Sequence, residues 1–355
     1  MLIARPIIFI AMKSKIIVLI FSACISVLLM TSCGPDAGEG EKDNNTEKNL
    51  PEALQALNKA IEENPDNALL YNQRAIYYLE QKKPELALAD VNKAIELDAD
   101  NPVYYRSLSD IYFAMGKPDR CREALNKAIQ VDDHDTTAYL KMAELEFYFK
   151  EYKKTFEYLN KALSLDERNA KAFFIRGIAY KELGDTAKAV KSLQMAVEND
   201  QEYYHAYMQL GLIHAAKHNP LAVDYYNNAL NINPESIEAY YGLGMFYQEH
   251  EEYNRAIEAY TTILKIDPAY KAAHFNLGYI HLVYLRVFDV AAKHFSDAIK
   301  ADPNYAEAYY NRGYCYELLG DVMNAKKDYQ QATMVRPNYQ KAIDGLNRID
   351  AIINQ

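Results

Sequence analysis

From about residue 51 onward, apolar residues recur at spacings of three and four, which places one buried face on each of a series of helices. The helices come in pairs. Ala306–Tyr339, AEAYYNRGYCYELLGDVMNAKKDYQQATMVRPNY, shows the pattern most cleanly. Tyr309, Gly313 and Tyr316 share a face of a first helix, and Ala325, Tyr329 and Ala332 share a face of a second. Gly320-Asp321 makes the turn between them, and Pro337 closes the unit. A unit of about 34 residues cannot bury enough apolar surface to fold alone, so it needs neighbours. Eight such units follow one another, beginning near Ala68, Pro102, Thr136, Ala170, Tyr204, Ile237, Lys271 and Ala306.

The unit starts lie 34 residues apart, except for 33 across the fifth unit and 35 across the seventh. Aligned columns have physical reasons. Tyr71, Tyr105, Tyr139, Phe173, Tyr207, Tyr240, His274 and Tyr309 supply a ring that fills the gap to the preceding unit. Ala75, Ser109, Ala143, Gly177, Gly211, Gly244, Gly278 and Gly313 stand where two antiparallel helices touch and only a small residue fits. Ala87, Cys121, Thr155, Ala189, Ala222, Ala256, Ala291 and Ala325 face that contact. Pro234, Pro268, Pro303 and Pro337 are expected to stop the second helices, because each removes a donor and restricts the residue before it. Ahead of the array, Pro51–Glu63 reads as the second helix of a half repeat, with a capping-box-like start at Asn49 and Glu52 and Pro51 in the first turn. A final helix spans Gln340–Asn354.

Period and columns together resemble the tetratricopeptide repeat over residues 51–355. The resemblance implies an all-α solenoid, a right-handed superhelix of helix-turn-helix units with the first helices lining a concave groove. It would comprise eight full repeats, an N-terminal half repeat and a C-terminal capping helix. Three departures stand out: no proline follows the first four units, the fifth lacks a glycine turn, and the seventh has Tyr284–Phe288 where a polar turn is expected.

The first 32 residues are different. Met12-Lys13-Ser14-Lys15 and the apolar run Ile16–Met30 have the form of a signal peptide, with Met12 an alternative start. The run ends Leu29-Met30-Thr31-Ser32-Cys33, which resembles the lipobox of bacterial lipoproteins and implies lipidation at Cys33; Phe21–Cys24 is a poorer alternative. Fifteen apolar residues fall short of the roughly 20 that span a bilayer, which disfavours an uncleaved anchor. The expected segments are a signal peptide over 1–32, a lipidated cysteine with a flexible acidic tether over 33–50, and the solenoid over 51–355. The tether's typical reach would be about 20–25 Å. Residence in a bacterial cell envelope follows, facing the periplasm or the exterior.

Net charge is −10, and the only charged residues of the leader are Arg5, Lys13 and Lys15, so the rest of the chain is more acidic still. That disfavours nucleic acid or an anionic bilayer bound through general electrostatics, leaving the lipid as the expected membrane contact. Tyrosine is over-used, at 31 residues, and tryptophan is absent. Cys121 and Cys315 are six repeats apart, too far for a disulfide in a solenoid, and read as small hydrophobes. No phosphate loop, dinucleotide fingerprint, zinc-protease or nucleophile-elbow motif is present, so no catalytic residue, metal or cofactor is expected. His214 and His218 are four apart on a helix, a possible ligand pair. However, His214 and His281 occupy the Tyr316 column and His274 the Tyr309 column, which favours packing.

The groove carries more. Phe174/Ile178, Met208/Leu212, Tyr241/Met245, Phe275/Tyr279 and Tyr310/Tyr314 lie one turn apart, rotated off the core face of their helices. The second member of each pair is usually polar in the family, so Ile178, Leu212, Met245, Tyr279 and Tyr314 are the unusual column. Asn276 and Asn311 survive from an asparagine ladder that some relatives use to grip peptide backbone. An apolar, flexible strip in a concavity suits an extended peptide or amphipathic helix; packing between first helices is the competing explanation. In the first half Arg106, Asp110, Lys141, Glu144 and Lys171 make the groove mixed in charge, and only partly resemble a clamp for a terminal carboxylate. The expectation is a non-enzymatic scaffold that binds a partner polypeptide, in envelope assembly or turnover. A self-assembling spacer, paired through the half repeat, is the alternative.

Overall fold

A computed structural model describes residues 51–354, and within them the secondary structure is entirely helical. The expected signal peptide, Cys33 and the tether lie outside the described residues. The helices are α1 (Glu52–Glu63), α2 (Ala68–Glu80), α3 (Pro84–Leu97), α4 (Pro102–Ala114), α5 (Pro118–Val131), α6 (Thr136–Tyr148), α7 (Tyr152–Leu165), α8 (Ala170–Glu182) and α9 (Thr186–Asn199). They continue with α10 (Tyr204–Ala215), α11 (Leu221–Ile232), α12 (Ile237–Glu249), α13 (Tyr253–Ile266), α14 (Lys271–Ile280), α15 (Phe288–Ala301), α16 (Ala306–Leu318), α17 (Val322–Val335) and α18 (Gln340–Ile353). Each full repeat begins where the periodicity places it. Among the described residues no helix is long and apolar enough to cross a membrane. In α1, Pro51 is the N-cap rather than a first-turn residue.

The chain forms two compact units, one ending at Asn199 and the other beginning at Asp200. Within each, the two helices of a repeat pack together, and the second packs on the first helix of the next repeat. The half repeat already covers Leu54 and Ile61 within its own unit. Size complementarity sets the intra-repeat contact, and it changes between units. In the first unit Ala75, Ser109 and Ala143 oppose Val91, Leu125 and Leu159, all six buried. In the second, glycine opposes a ring. A Cβ on Gly244 would sit 2.5 Å from the Tyr260 ring, far inside contact distance, and one on Gly211 would lie 2.7 Å from Tyr226. Tyr226, Tyr260, Phe295 and Tyr329 are the large, fully buried side chains so accommodated.

Every turn between paired helices places one residue at positive φ: Lys82, Gly116, Lys150, Gly184, His218, Glu251, Arg286 and Gly320. Five of the eight are therefore not glycine, each at a cost of the order of 1 kcal/mol. The fifth unit's missing glycine turn is thus made with His218 at φ 52. The seventh unit's extra residue is absorbed in a π-turn at His281–Leu285, where the amide of Val287 donates to the carbonyl of His281 at 2.9 Å. Inserting one residue into a helix produces this wider turn.

What ends the second helices differs from expectation. Asp98, Asp132 and Asp166 adopt the same extended backbone as Asn233, Asp267 and Asp302, although no proline follows the first three. In each case the side-chain oxygen accepts from the backbone amide two residues on, as when Asp132 accepts from His134 at 2.9 Å. An Asx turn is the common stop, and proline only reinforces it.

Candidate functional site

On the second unit, α10, α12, α14 and α16 present the expected strip. Met208 is buried, while Leu212, Tyr241, Met245, Phe275, Asn276, Tyr279, Tyr310, Asn311 and Tyr314 are half-buried. The two columns of the strip have different surroundings. In the first, each ring meets a tyrosine at the N-cap of the next first helix. Tyr241 meets Tyr270 with centroids 6.3 Å apart, Phe275 stacks on Tyr305 at 5.0 Å, and Tyr310 meets Tyr339 at 5.5 Å. None of these three N-cap tyrosines makes a side-chain capping bond. Packing therefore explains the first column to a large extent. The second column, Met245, Tyr279 and Tyr314, has no such lid of N-cap rings. Tyr279 meets Tyr284 edge-on at 6.0 Å, and the Tyr314 ring runs parallel to Tyr310 within 4°, at 6.4 Å.

The two asparagines behave differently. Asn276 donates through Nδ2 to the Tyr241 hydroxyl at 3.4 Å and lies 3.8 Å from the Met245 sulfur, bridging one repeat to the previous one. Asn311 donates to the carbonyl of Glu307 in its own helix at 2.8 Å. Burial raises the phenol pKa of Tyr241 and of Tyr310, so both remain neutral hydroxyls able to donate or accept.

The first unit fills equivalent positions with charge. Phe174 and Ile178, at 8% and 2% exposure, are buried on α8. Arg106 Nη1 donates to Asp135 Oδ1 at 2.6 Å, in the columns that hold Tyr241 and Tyr270 in the second unit. Lys141 donates to Asp110 at 2.6 Å, where the second unit has Asn276 and Met245. Lys171 lies 2.7 Å from the buried Glu144. Burial raises the Glu144 carboxyl pKa, against the pull of Lys171. The mixed charge of this region is therefore paired within the unit, which leaves Arg106, Lys141 and Lys171 already committed to carboxylates.

The two histidines stand in different surroundings. His214 is buried beside Tyr225, with centroids 5.1 Å apart and neither ring nitrogen hydrogen-bonded, and burial lowers its pKa. His218 is exposed on the turn, 3.8 Å from Glu249. Among the described residues, one trio of potential ligands has all its ligand atoms within 4.8 Å of one another: Asp132, Asp133 and His134, all exposed. Cys121 and Cys315 are buried free thiols, each pushed up to about 12 by burial. The N-cap tyrosines Tyr270, Tyr305 and Tyr339 escaped the sequence reading. Their signal was present as a column that reads Asn67, Asn101, Asp135 and Asn169 early in the chain and turns aromatic later.

Comparison with known proteins places this geometry. Profiles of the tetratricopeptide repeat match residues 56–89, 103–135, 171–202, 237–270 and 306–344. The UDP-N-acetylglucosamine--peptide N-acetylglucosaminyltransferase of Giardia intestinalis is 28% identical over 95 residues, 26% of this chain and 6% of that protein. Superkiller complex protein 3 of Homo sapiens is 28% identical over 113 residues, 32% of this chain and 7% of that protein. The chain thus spans less than a tenth of either relative. The Pseudomonas aeruginosa pilF structure aligns with a TM-score of 0.50 at 15% identity, covering 57% of this chain and 93% of that one, a likeness of fold. Helix pairing, column chemistry and five profile matches agree: the chain belongs to the tetratricopeptide repeat family, a protein-interaction scaffold built as an α-solenoid.

Proposed function

We propose that this protein is a lipid-anchored, non-enzymatic scaffold that holds an extended partner polypeptide on the first-helix face of its second unit. The carrying observation is the contrast between columns. Met245, Tyr279 and Tyr314 are half-buried apolar or aromatic side chains without the N-cap ring lids that cover Tyr241, Phe275 and Tyr310. Rings and a thioether accommodate varied apolar side chains, and the Asn276 amide and tyrosine hydroxyls offer hydrogen bonds to peptide backbone. Met208 is buried and supports this surface as packing within the second unit, whereas Phe174 and Ile178 are buried in the first unit and fall outside it. Lipidation at Cys33 and a tether over 33–50 would hold the scaffold at an envelope membrane of a bacterium, with a role in envelope assembly or turnover.

The test compares co-purification by the wild-type protein with Tyr279→Asp and Tyr314→Asp variants, with helical content checked by circular dichroism. Loss of the same partner from both folded variants is expected; an unchanged partner set would sink the surface assignment. Separately, Cys33→Ser is expected to abolish metabolic labelling with palmitate, and labelling that persists would move the anchor to another residue.

A further inference from the structure

One corner recurs in every repeat, between the outer part of the first helix and the facing turn of the second. In the first and last full repeats it is an arginine–aspartate fork beside two tyrosines. Arg74 donates through Nε and Nη2 to the two Asp90 oxygens, both at 2.7 Å, with Tyr71 and Tyr78 alongside. Arg312 does the same to Asp328 at 2.7 Å, with Tyr309 and Tyr316 alongside. The second and sixth repeats use Tyr105, Leu108, Tyr112, Ala124 and Tyr240, Leu243, Tyr247, Ala259 in the same four places. The seventh repeat alone places three histidines there: His274 and His281 on α14 and His294 on α15, around Leu277.

The three rings are close, His281 to His294 at 5.4 Å and His274 to His294 at 6.1 Å between centroids. Backbone carbonyls fix two of the tautomers. His274 donates from Nε2 to Pro268 at 3.0 Å, as the Tyr71 hydroxyl donates to Pro65 at 3.0 Å, so histidine here copies a tyrosine contact. His281 donates from Nδ1 to Leu277 at 2.8 Å. The Nδ1 atoms of His274 and His294 are buried without a hydrogen-bond partner. A proton on His294 Nδ1 would therefore have no acceptor and would set a cation beside two other imidazoles in a partly desolvated corner.

We propose that this imidazole corner makes the seventh repeat an acid-sensitive joint, loosening α14 and α15 when the surroundings acidify while the neighbouring repeats stay closed. Its consequence for ligand binding rests on the surface assigned above, because the opposite side of α14 carries Phe275, Asn276 and Tyr279. Acid would then withdraw the middle rung of that surface.

The surroundings offer little compensation. On its own helix His294 has Lys293 and Asp297, which act on its charge in opposite directions. From α16 the charged groups are Glu307, Arg312 and Glu317, already tied to Arg336 at 2.7 Å, Asp328 at 2.7 Å and Arg348 at 2.9 Å. The His294 pKa is lowered to about 4, first by burial and then by His281 and His274. The unfolded repeat binds the proton more readily, so the corner's full stability is present above the ordinary imidazole range and is lost as pH falls from about 6.5 toward 4. The π-turn at His281–Leu285 adjoins the corner and marks α14 as an irregular helix. In a repeat array, such a unit can open on its own.

Hydrogen exchange followed by mass spectrometry on the whole protein tests this, at pH 7.5 and pH 5.0, with rates corrected for intrinsic pH dependence. Peptides from α14 and α15 are expected to exchange about tenfold faster at the lower pH, with α16 and α17 unchanged. The variant His274→Tyr/His281→Tyr/His294→Ala rebuilds the corner of the second and sixth repeats and should remove the acid increment. An equal response in α16, or an increment that persists in the folded variant, overturns the proposal. If that variant does not fold, the assigned His294 resonance of the wild-type protein decides: an imidazole still neutral at pH 5 supports the joint, and titration in the ordinary range overturns it. No ligand enters this experiment, so it stands or falls separately from the tyrosine variants above.

Discussion

The two units solve the same packing problem with different chemistry. The first sets small residues against aliphatic ones at its helix contacts, Ala75 with Val91, Ala143 with Leu159 and Gly177 with Leu193, and closes much of its first-helix face with ion pairs. The second uses extremes, glycine against a buried ring, and leaves aromatic side chains half-exposed on that face. The N-cap column changes later along the chain. Asn67, Asn101, Asp135, Asn169 and Ser236 cap their helices by accepting backbone amides, whereas Tyr270, Tyr305 and Tyr339 give up the cap and meet the preceding repeat's ring. A lost cap costs about 1 kcal/mol, and ring contacts of this kind return about 0.5–1.5 kcal/mol. The exchange is close to neutral for stability but changes what the surface can bind. One unit faces outward with satisfied charges, and the other with adaptable apolar groups.

The contrast can be broken at its core. Tyr260→Leu removes a fully buried ring opposite Gly244 and is expected to cost about 3 kcal/mol by cavity formation, read from denaturant unfolding. Adding Gly244→Ala imports the first unit's pairing. With the ring gone the new Cβ faces a leucine, as Ala143 faces Leu159 in the first unit, and alanine favours the helix by about 1 kcal/mol, so the double variant should recover up to that much. In wild type, by contrast, Gly244→Ala alone should destabilise, because its Cβ would meet the Tyr260 ring at 2.5 Å. An additive cycle would refute the size-complementarity account.

On the charged side, Lys171→Met leaves the buried Glu144 carboxylate without its nearest cation. A loss of about 1–2 kcal/mol is expected near pH 7.5, reduced from the value for fully buried pairs because Lys171 is partly exposed. Burial already raises the Glu144 pKa. Protonation in the folded state therefore comes early, and the loss should shrink as pH falls; thermal melts of both proteins across pH 5–8 check the sign. Smaller in size, Ser192→Asp should stabilise by about 1 kcal/mol. It supplies the half-buried Arg176, whose pKa is lowered by burial, with the carboxylate that Arg74 and Arg312 enjoy in the same column. Smallest of all, Glu251→Gly relieves a positive φ and should gain about 0.5 kcal/mol. A neutral or negative result there would show that the turn residue is held by contacts beyond its backbone.

Much of the fold was legible because the repeat is a local code: a ring, a small residue, and a turn at fixed offsets. The start of every full repeat followed from it. Proline is not the residue that matters for termination, since Asp98, Asp132 and Asp166 stop their helices by Asx turns without one. The candidate strip was legible as columns, yet columns say only which residues share a face. Tyr310 and Tyr314 look equivalent in the chain, but Tyr339 covers the first and not the second. That distinction depends on a residue 29 positions away, brought over by the turn at the end of α17.

Sequence by itself therefore determined the architecture of this protein, since period, column size and turn chemistry are properties of residues within one repeat and its neighbours. It also marked the apolar column on the second unit. Only tertiary structure decided how much of each side chain is already in use. It paired Arg106, Lys141 and Lys171 with carboxylates 27 to 31 positions away, and covered Phe174, Ile178 and Met208. It also gathered His274, His281 and His294 into one corner. The physical reason is that burial and pairing depend on what the adjoining helix places opposite a residue, and a face of one helix does not contain that information.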